Sequence, residues 1–129
     1  MTERKKVLLV EDDEFTCFMM QEIIGTLGVD VEVATNGTEG FDALSKSPGA
    51  FGLVLMDLHM PVLSGIDAAR KIRKLAKNPP REVPIIAVTA DVNYHDDARI
   101  EQLGMNGFAS KPVSPGQLLA LIDRYCAAA

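Results

Sequence analysis

Four short apolar runs in this chain end in residues that can do chemistry. Val7–Val10 runs into Glu11, Asp12 and Asp13, Leu53–Met56 into Asp57, Ile85–Val88 into Thr89, and Gly107–Ala109 into Ser110, Lys111 and Pro112. If the runs are parallel strands, their carboxyl ends share one edge of the sheet, where open α/β folds form their ligand crevice. Acids, a hydroxyl and a lysine then converge on one point.

Neighbouring acids repel one another, and crowding them at a strand end costs stability unless a cation or a basic group sits between them. Capping the helix that follows accounts for one of Glu11, Asp12 and Asp13, but not for all three. Oxygens from Asp12 and Asp57, with waters completing an octahedron, suit Mg²⁺, a hard ion usually bound through one or two carboxylates and a phosphate. Taken singly, Asp57 can simply accept the amides of the loop after it, Thr89 reads as a turn hydroxyl, and Lys111 as a solvated surface lysine. Together they supply what phosphoryl transfer needs: a carboxylate nucleophile, a metal to draw charge from the phosphoryl oxygens, and donors for the rest.

Strand and helix signals alternate about five times along the chain, which implies a parallel sheet covered on both faces. Val7–Val10, Leu53–Met56 and Ile85–Val88 are unbroken apolar runs, as strands buried on both faces should be, and belong in the middle. Val29–Val33 alternates and Gly107–Ala109 is short with a glycine, so both are expected at the edges. The expected fold is a doubly wound, flavodoxin-like (βα)5 unit with strand order 2-1-3-4-5.

Phe15, Phe18, Met19, Ile23 and Leu27 recur at helical spacing, as do Ile66, Ala69, Ile72 and Ala76, and then Leu118, Leu121, Ile122 and Tyr125. These stripes are expected to face the core. Asp13 or Asp12 caps the first helix, Ser64 the third, and Ser114 the fifth with Pro115 in its first turn, while Gly28 and Gly104 stop the first and fourth. Asn78-Pro79-Pro80 forms the loop into the fourth strand.

A length of 129 residues fits one domain spanning 1–129. A formal net charge of −5 argues against binding duplex DNA, which needs clustered Lys and Arg. The basic stretch Arg70–Lys74 reads as the solvated face of a helix, and Cys17 and Cys126 as buried or idle thiols. With no signal peptide and no run of apolar residues long enough for a membrane span, a cytoplasmic protein is the default.

The chain resembles the receiver domains of two-component response regulators over essentially its whole length, in the manner of the small chemotaxis regulators. The segments that carry the likeness are Val7–Asp13, Leu55–Gly65, Ala87–Ala90 and Ser110–Pro112, in order and at the family's spacing. The resemblance implies that Asp57 accepts a phosphoryl group from a phosphohistidine on a sensor histidine kinase or a histidine phosphotransfer protein. It implies Mg²⁺, with Mn²⁺ as an alternative ion, held by Asp12, Asp57 and the backbone carbonyl of His59, and by Glu11 through water. Lys111 pairs with the phosphoryl group and Lys111-Pro112 is a cis peptide. Thr89 moves to hydrogen-bond the phosphoryl group, and Phe108 turns inward into the space vacated. His59 and Asp91 occupy positions that tune how fast water removes the phosphoryl group. The only activities implied are Mg-dependent self-phosphorylation and autodephosphorylation, not those of a classical enzyme.

Two departures from the commonest pattern stand out. Glu11 replaces a more frequent aspartate, with an arm still long enough to reach the ion through water. Phe108 stands where tyrosine is common and has no hydroxyl to offer. An aspartyl-phosphate hydrolase of the haloacid dehalogenase type wants a second aspartate two residues after the nucleophile, where this chain has His59. A flavodoxin-like flavin binder needs a first loop that cradles phosphate, and Glu11-Asp12-Asp13 would repel it. A receiver used only as an unphosphorylated docking module usually lacks an acid, the threonine or the lysine, and all are present here.

The Met56–Pro61 and Leu103–Phe108 segments resemble receivers of hybrid histidine kinases or phosphorelays more than those of transcription factors. The expected output is another protein, unless the chain is cut from a longer one, with the domain a monomer or a phosphorylation-dependent homodimer.

Overall fold

The computed structural model describes residues 5–60 and 63–126. Pro61 and Val62, inside the second resemblance-bearing segment, therefore lie outside the described residues. In chain order the elements are β1 (Lys6–Val10), α1 (Glu14–Thr26), β2 (Val31–Ala34), α2 (Gly37–Lys46), β3 (Phe51–Asp57), α3 (Gly65–Arg73), β4 (Ile85–Thr89), a 3₁₀ turn (Val92–Tyr94), α4 (Asp97–Gln102), β5 (Gly107–Ser110) and α5 (Pro115–Tyr125). The strands pair in parallel in the order β2-β1-β3-β4-β5, as the alternation of apolar runs and helical stripes implies.

Successive strand side chains point to opposite faces, so each central strand feeds two layers. Leu8, Val10, Val54, Met56, Ile85 and Ala87 pack with Leu44, Ala68, Ile72 and Ile100 of α2, α3 and α4. Val7, Leu9, Leu53, Leu55, Ile86 and Val88 pack with Met20, Ile24, Leu118 and Ile122 of α1 and α5. Burying a Leu or Ile side chain stabilises by about 2 kcal/mol, and slipping a strand by one residue would swap its two faces, so packing locks the register. β2 and β5 are only partly covered, as edge strands should be.

The helix starts follow their capping residues. Asp13 accepts from Thr16 N, Ser64 from Asp67 N and Ser114 from Gln117 N, the last within a reciprocal capping box behind Pro115. Gly28 and Gly104 follow α1 and α4 with φ of 77° and 86°, a conformation only glycine adopts without strain.

Two expectations fail. Phe15, Phe18 and Met19 do not face the core: they are 70%, 62% and 43% exposed, and the buried face of α1 is Cys17, Met20 and Ile24. Two adjacent stripes of α1 are apolar, so periodicity does not choose between them; packing of Cys17, Met20 and Ile24 against β1 and α5 does. Ala76 is exposed in the loop after α3, which ends at Arg73. There the Arg73 guanidinium turns inward, donating to the carbonyls of Gly104 (2.7 Å), Arg81 (2.8 Å) and Val83 (2.7 Å) and to Asn106 Oδ1 (3.0 Å). The basic stretch therefore contains one anchoring residue among solvated ones.

Candidate functional site

At the end of β1 the three acids take three different roles. Asp13 is consumed by its cap, accepting from the Thr16 amide at 2.9 Å and hydroxyl at 2.6 Å, bonds that hold its carboxyl below the ordinary aspartate range. Asp12 is exposed, and Glu11 is buried, only 1% of it accessible. β3 delivers the buried Asp57 beside them, and a carboxylate oxygen from each of Glu11, Asp12 and Asp57 lies within 4.8 Å of the others. Behind Asp57 the chain has no slack, because α3 begins so close that a Cβ on Gly65 would collide with the Asp57 carbonyl.

Lys111, just past β5, reaches back into this cluster. Its Nζ stands 2.7 Å from Glu11 Oε1 and 3.4 Å from Asp57 Oδ2. Burial works against its charge, but Glu11 and Asp57 outweigh that and hold the ammonium above its ordinary value. The backbone leading out of Lys111 is a cis peptide to Pro112.

One lysine does not balance three carboxylates. Burial pushes the Glu11 carboxyl up to about 7, with Lys111 opposing the rise and Asp57 adding to it. Glu11 Oε1 is fully buried and, among the described residues, has no aligned hydrogen bond, although the Lys111 ammonium stands 2.7 Å away. Converging hard oxygen donors, one of them poorly satisfied and short of positive charge, fit a Mg²⁺ ion, whose ligand oxygens stand roughly 2.0–2.1 Å from the metal.

Asp57 Oδ1 also accepts the His59 amide at 3.2 Å, so the plain role of bonding the following loop is met by one oxygen while the other faces Lys111. Thr89, buried at the end of β4, sits one residue past Val88, the register partner of Asp57. Its Oγ1 accepts the Asp91 amide at 3.0 Å, and among the described residues the hydroxyl proton has no acceptor. His59 Nε2 and Asp91 Oδ2 meet at 3.1 Å. Asp91 accepts the Asn93 amide as well, and these bonds, led by Asn93, hold its carboxyl below the ordinary range.

Phe108 on β5 is half-buried and stacks on His95, a residue that no sequence signal singles out. The structure thus gathers Glu11, Asp12, Asp57 and Lys111 in direct contact range, links His59 with Asp91 and Asp91 with Thr89, and sets Phe108 apart. Beside the carboxylates, the exposed face of α1 (Phe15, Met19) and the Lys111–Val113 segment line a cleft of about 350 Å³. The buried Cys17 thiol lies beneath the site, 3.4 Å from the Glu11 carbonyl, and burial pushes it up to about 11.

Residues 7–123 match the family model for the response regulator receiver domain. Two-component response regulator 24 of Arabidopsis thaliana is 32% identical over 125 residues, covering 96% of this chain and 86% of that protein. Hybrid signal transduction histidine kinases of Dictyostelium discoideum match at 30% and 35% identity, but the chain spans only 7% and 6% of their lengths. The receiver domain of a sensor histidine kinase of Pseudomonas aeruginosa PAO1, solved with magnesium coordinated in its active-site cleft, superposes with a TM-score of 0.82 at 31% identity, covering 95% of this chain and 97% of that one. The receiver of Ssk1 from Saccharomyces cerevisiae, solved with the histidine phosphotransfer protein Ypd1, gives 0.81 at 28% identity, covering 98% and 91%.

Proposed function

Because the chain belongs to the response regulator receiver domain family, we propose that the unit spanning 1–129 takes a phosphoryl group onto Asp57 from a partner's phosphohistidine. The observation that carries this is the buried Asp57 carboxylate grouped with Glu11 and Asp12 within 4.8 Å and faced by Lys111 at 3.4 Å. An Asp57 oxygen attacks phosphorus, the new P–O bond forms as the P–N bond breaks, and the imidazole leaves with the electron pair. Asp12, Asp57, the His59 carbonyl and, through water, Glu11 would hold Mg²⁺ or Mn²⁺, which supplies positive charge to the phosphoryl oxygens. The Lys111 ammonium shifts from the carboxylates onto the phosphoryl group, and the Thr89 hydroxyl proton gives it a further donor. His59 and Asp91, joined at the mouth, govern access of the water that hydrolyses the acyl phosphate. Thr89 and Phe108 then change the surface formed by α4, β5 and α5.

The donor docks on α1. Phe15, Phe18 and Met19 form an exposed apolar strip beside the cleft, and such a strip suits a helix of a histidine kinase or phosphotransfer protein in the cytoplasm. The Ssk1 receiver's complex with Ypd1 supports a partner of that kind. From there the group is passed on through a relay or switches binding to a protein target.

Incubation with Mg²⁺ and acetyl phosphate tests the reading by intact mass. Addition of one phosphoryl mass is expected, with none in Asp57→Asn; equal uptake by that variant overturns it.

A further inference from the structure

Phe108 has no hydroxyl, so it cannot follow Thr89 through a hydrogen bond of its own. His95 touches both. It closes the 3₁₀ turn, its amide bonded to the Val92 carbonyl at 3.2 Å, and from there its Nε2 lies 3.0 Å from the Thr89 carbonyl. A carbonyl only accepts, so Nε2 carries the proton and donates it. The same carbonyl takes the Lys111 amide at 3.1 Å, which occupies both of its lone pairs. On its flat side the imidazole lies parallel to the Phe108 ring, at 6° with centroids 5.1 Å apart, the offset stack that aromatic pairs favour. One hydrogen bond orients the ring plane, and the ring plane sets where Phe108 packs.

We propose that His95 is a positioning residue that couples Phe108 to the Thr89 end of β4, donating its Nε2 proton to the Thr89 carbonyl while its ring stacks on Phe108. The inference rests on the reading of Asp57 as the phosphoacceptor. When the Thr89 end moves toward a phosphoryl group, the imidazole is drawn with it through the carbonyl, and Phe108 changes its flat neighbour. The His95 side chain takes over the linking task for which Phe108 has no polar group.

The test places 4-fluorophenylalanine at position 108 and reads its fluorine resonance before and after acetyl phosphate and Mg²⁺, normalised to the phosphorylated fraction from intact mass. Wild type is compared with His95→Ala, with His95→Gln, which keeps a donor without the ring, and with His95→Phe, which keeps the ring without the donor. The wild-type resonance is expected to move on phosphorylation. The normalised response is expected to fall about fivefold in all three variants, because each breaks one of the two links, which corresponds to ~1 kcal/mol of coupling at tenfold per 1.4 kcal/mol. A wild-type response in His95→Phe would assign the residue to packing alone and overturn the coupling, as would an unmoved resonance in phosphorylated wild type. Should His95→Ala fail to fold, the two larger replacements decide. Absence of phosphoryl mass on wild type would instead overturn the assignment of Asp57, so the two failures are distinguishable.

Discussion

The Lys111 ammonium lies closer to Glu11 than to Asp57, 2.7 Å against 3.4 Å. Without a phosphoryl group, the lysine is engaged mainly by the acid at the bottom of the site and only secondarily by the nucleophile. Leaving buried carboxylates unpaired costs several kcal/mol, and partial exposure of the lysine reduces that figure. Lys111→Met is therefore expected to lose about 1–3 kcal/mol of stability in EDTA, with part restored by Mg²⁺. Urea denaturation with and without the ion measures both.

Glu11 gives the site a pH dependence of definite sign. Its folded-state value, about 7, lies above the ordinary glutamate value of 4.5, chiefly because burial disfavours the ionised form. In metal-free protein the stabilising contribution of this group is fully present below about pH 4.5 and is lost as pH rises through about 7. Mg²⁺ favours the ionised form, so its thermal stabilisation is expected to be larger at about pH 8 than at about pH 6. Melting curves at the two pH values check this, and Glu11→Gln should flatten the metal-free slope.

His59 and Asp91 share one hydrogen bond, so they are expected to act as a unit. The His59 ring also meets Tyr94 edge-on, at 5.7 Å between centroids, which gives the pair a wall. Replacing either by alanine opens the mouth to water, and loss of phosphate from Asp57 should quicken by about two- to tenfold, with the double variant no faster than the worse single one. Timed intact-mass decay supplies the rates; unchanged decay in both singles would overturn their proposed role.

The apolar strip on α1 separates docking from chemistry. Phe18 is 62% exposed, so Phe18→Glu should leave folding and phosphorylation by acetyl phosphate within about twofold. Transfer from a phosphorylated histidine phosphotransfer protein should slow by about tenfold or more, as expected for a lost aromatic anchor. Parallel rates with the two donors decide it.

Arg73 ties the end of α3 to the loops that lead into β4 and β5 through four side-chain bonds. Arg73→Ala orphans half-buried carbonyls and should cost about 3 kcal/mol by urea denaturation. Arg73→Lys should recover little of that, because an ammonium cannot reproduce the guanidinium fork.

Much of the site was legible in the sequence because the signal is local. Asp57 and Thr89 each terminate an apolar run, and a parallel sheet aligns such ends whatever the helices do. The parts that escaped were decided by tertiary packing. Nothing in the spacing of α1 separates Phe15, Phe18 and Met19 from Cys17, Met20 and Ile24, since either set makes a regular stripe. Arg73 lies within a basic run whose other members are solvated, and only the carbonyls of distant loops draw it inward. His95 has no pattern at all, and its importance arises from a carbonyl six residues earlier and a ring on another strand.

The missing side chain at Gly65 sets how the acceptor works. With α3 pressed against the Asp57 carbonyl and the sheet holding the other flank, the backbone of the acceptor forms a rigid seat and only its carboxylate can adjust. On the proposed reading of Asp57, a donor's phosphohistidine would have to be brought to that seat, so alignment would become the burden of the visitor.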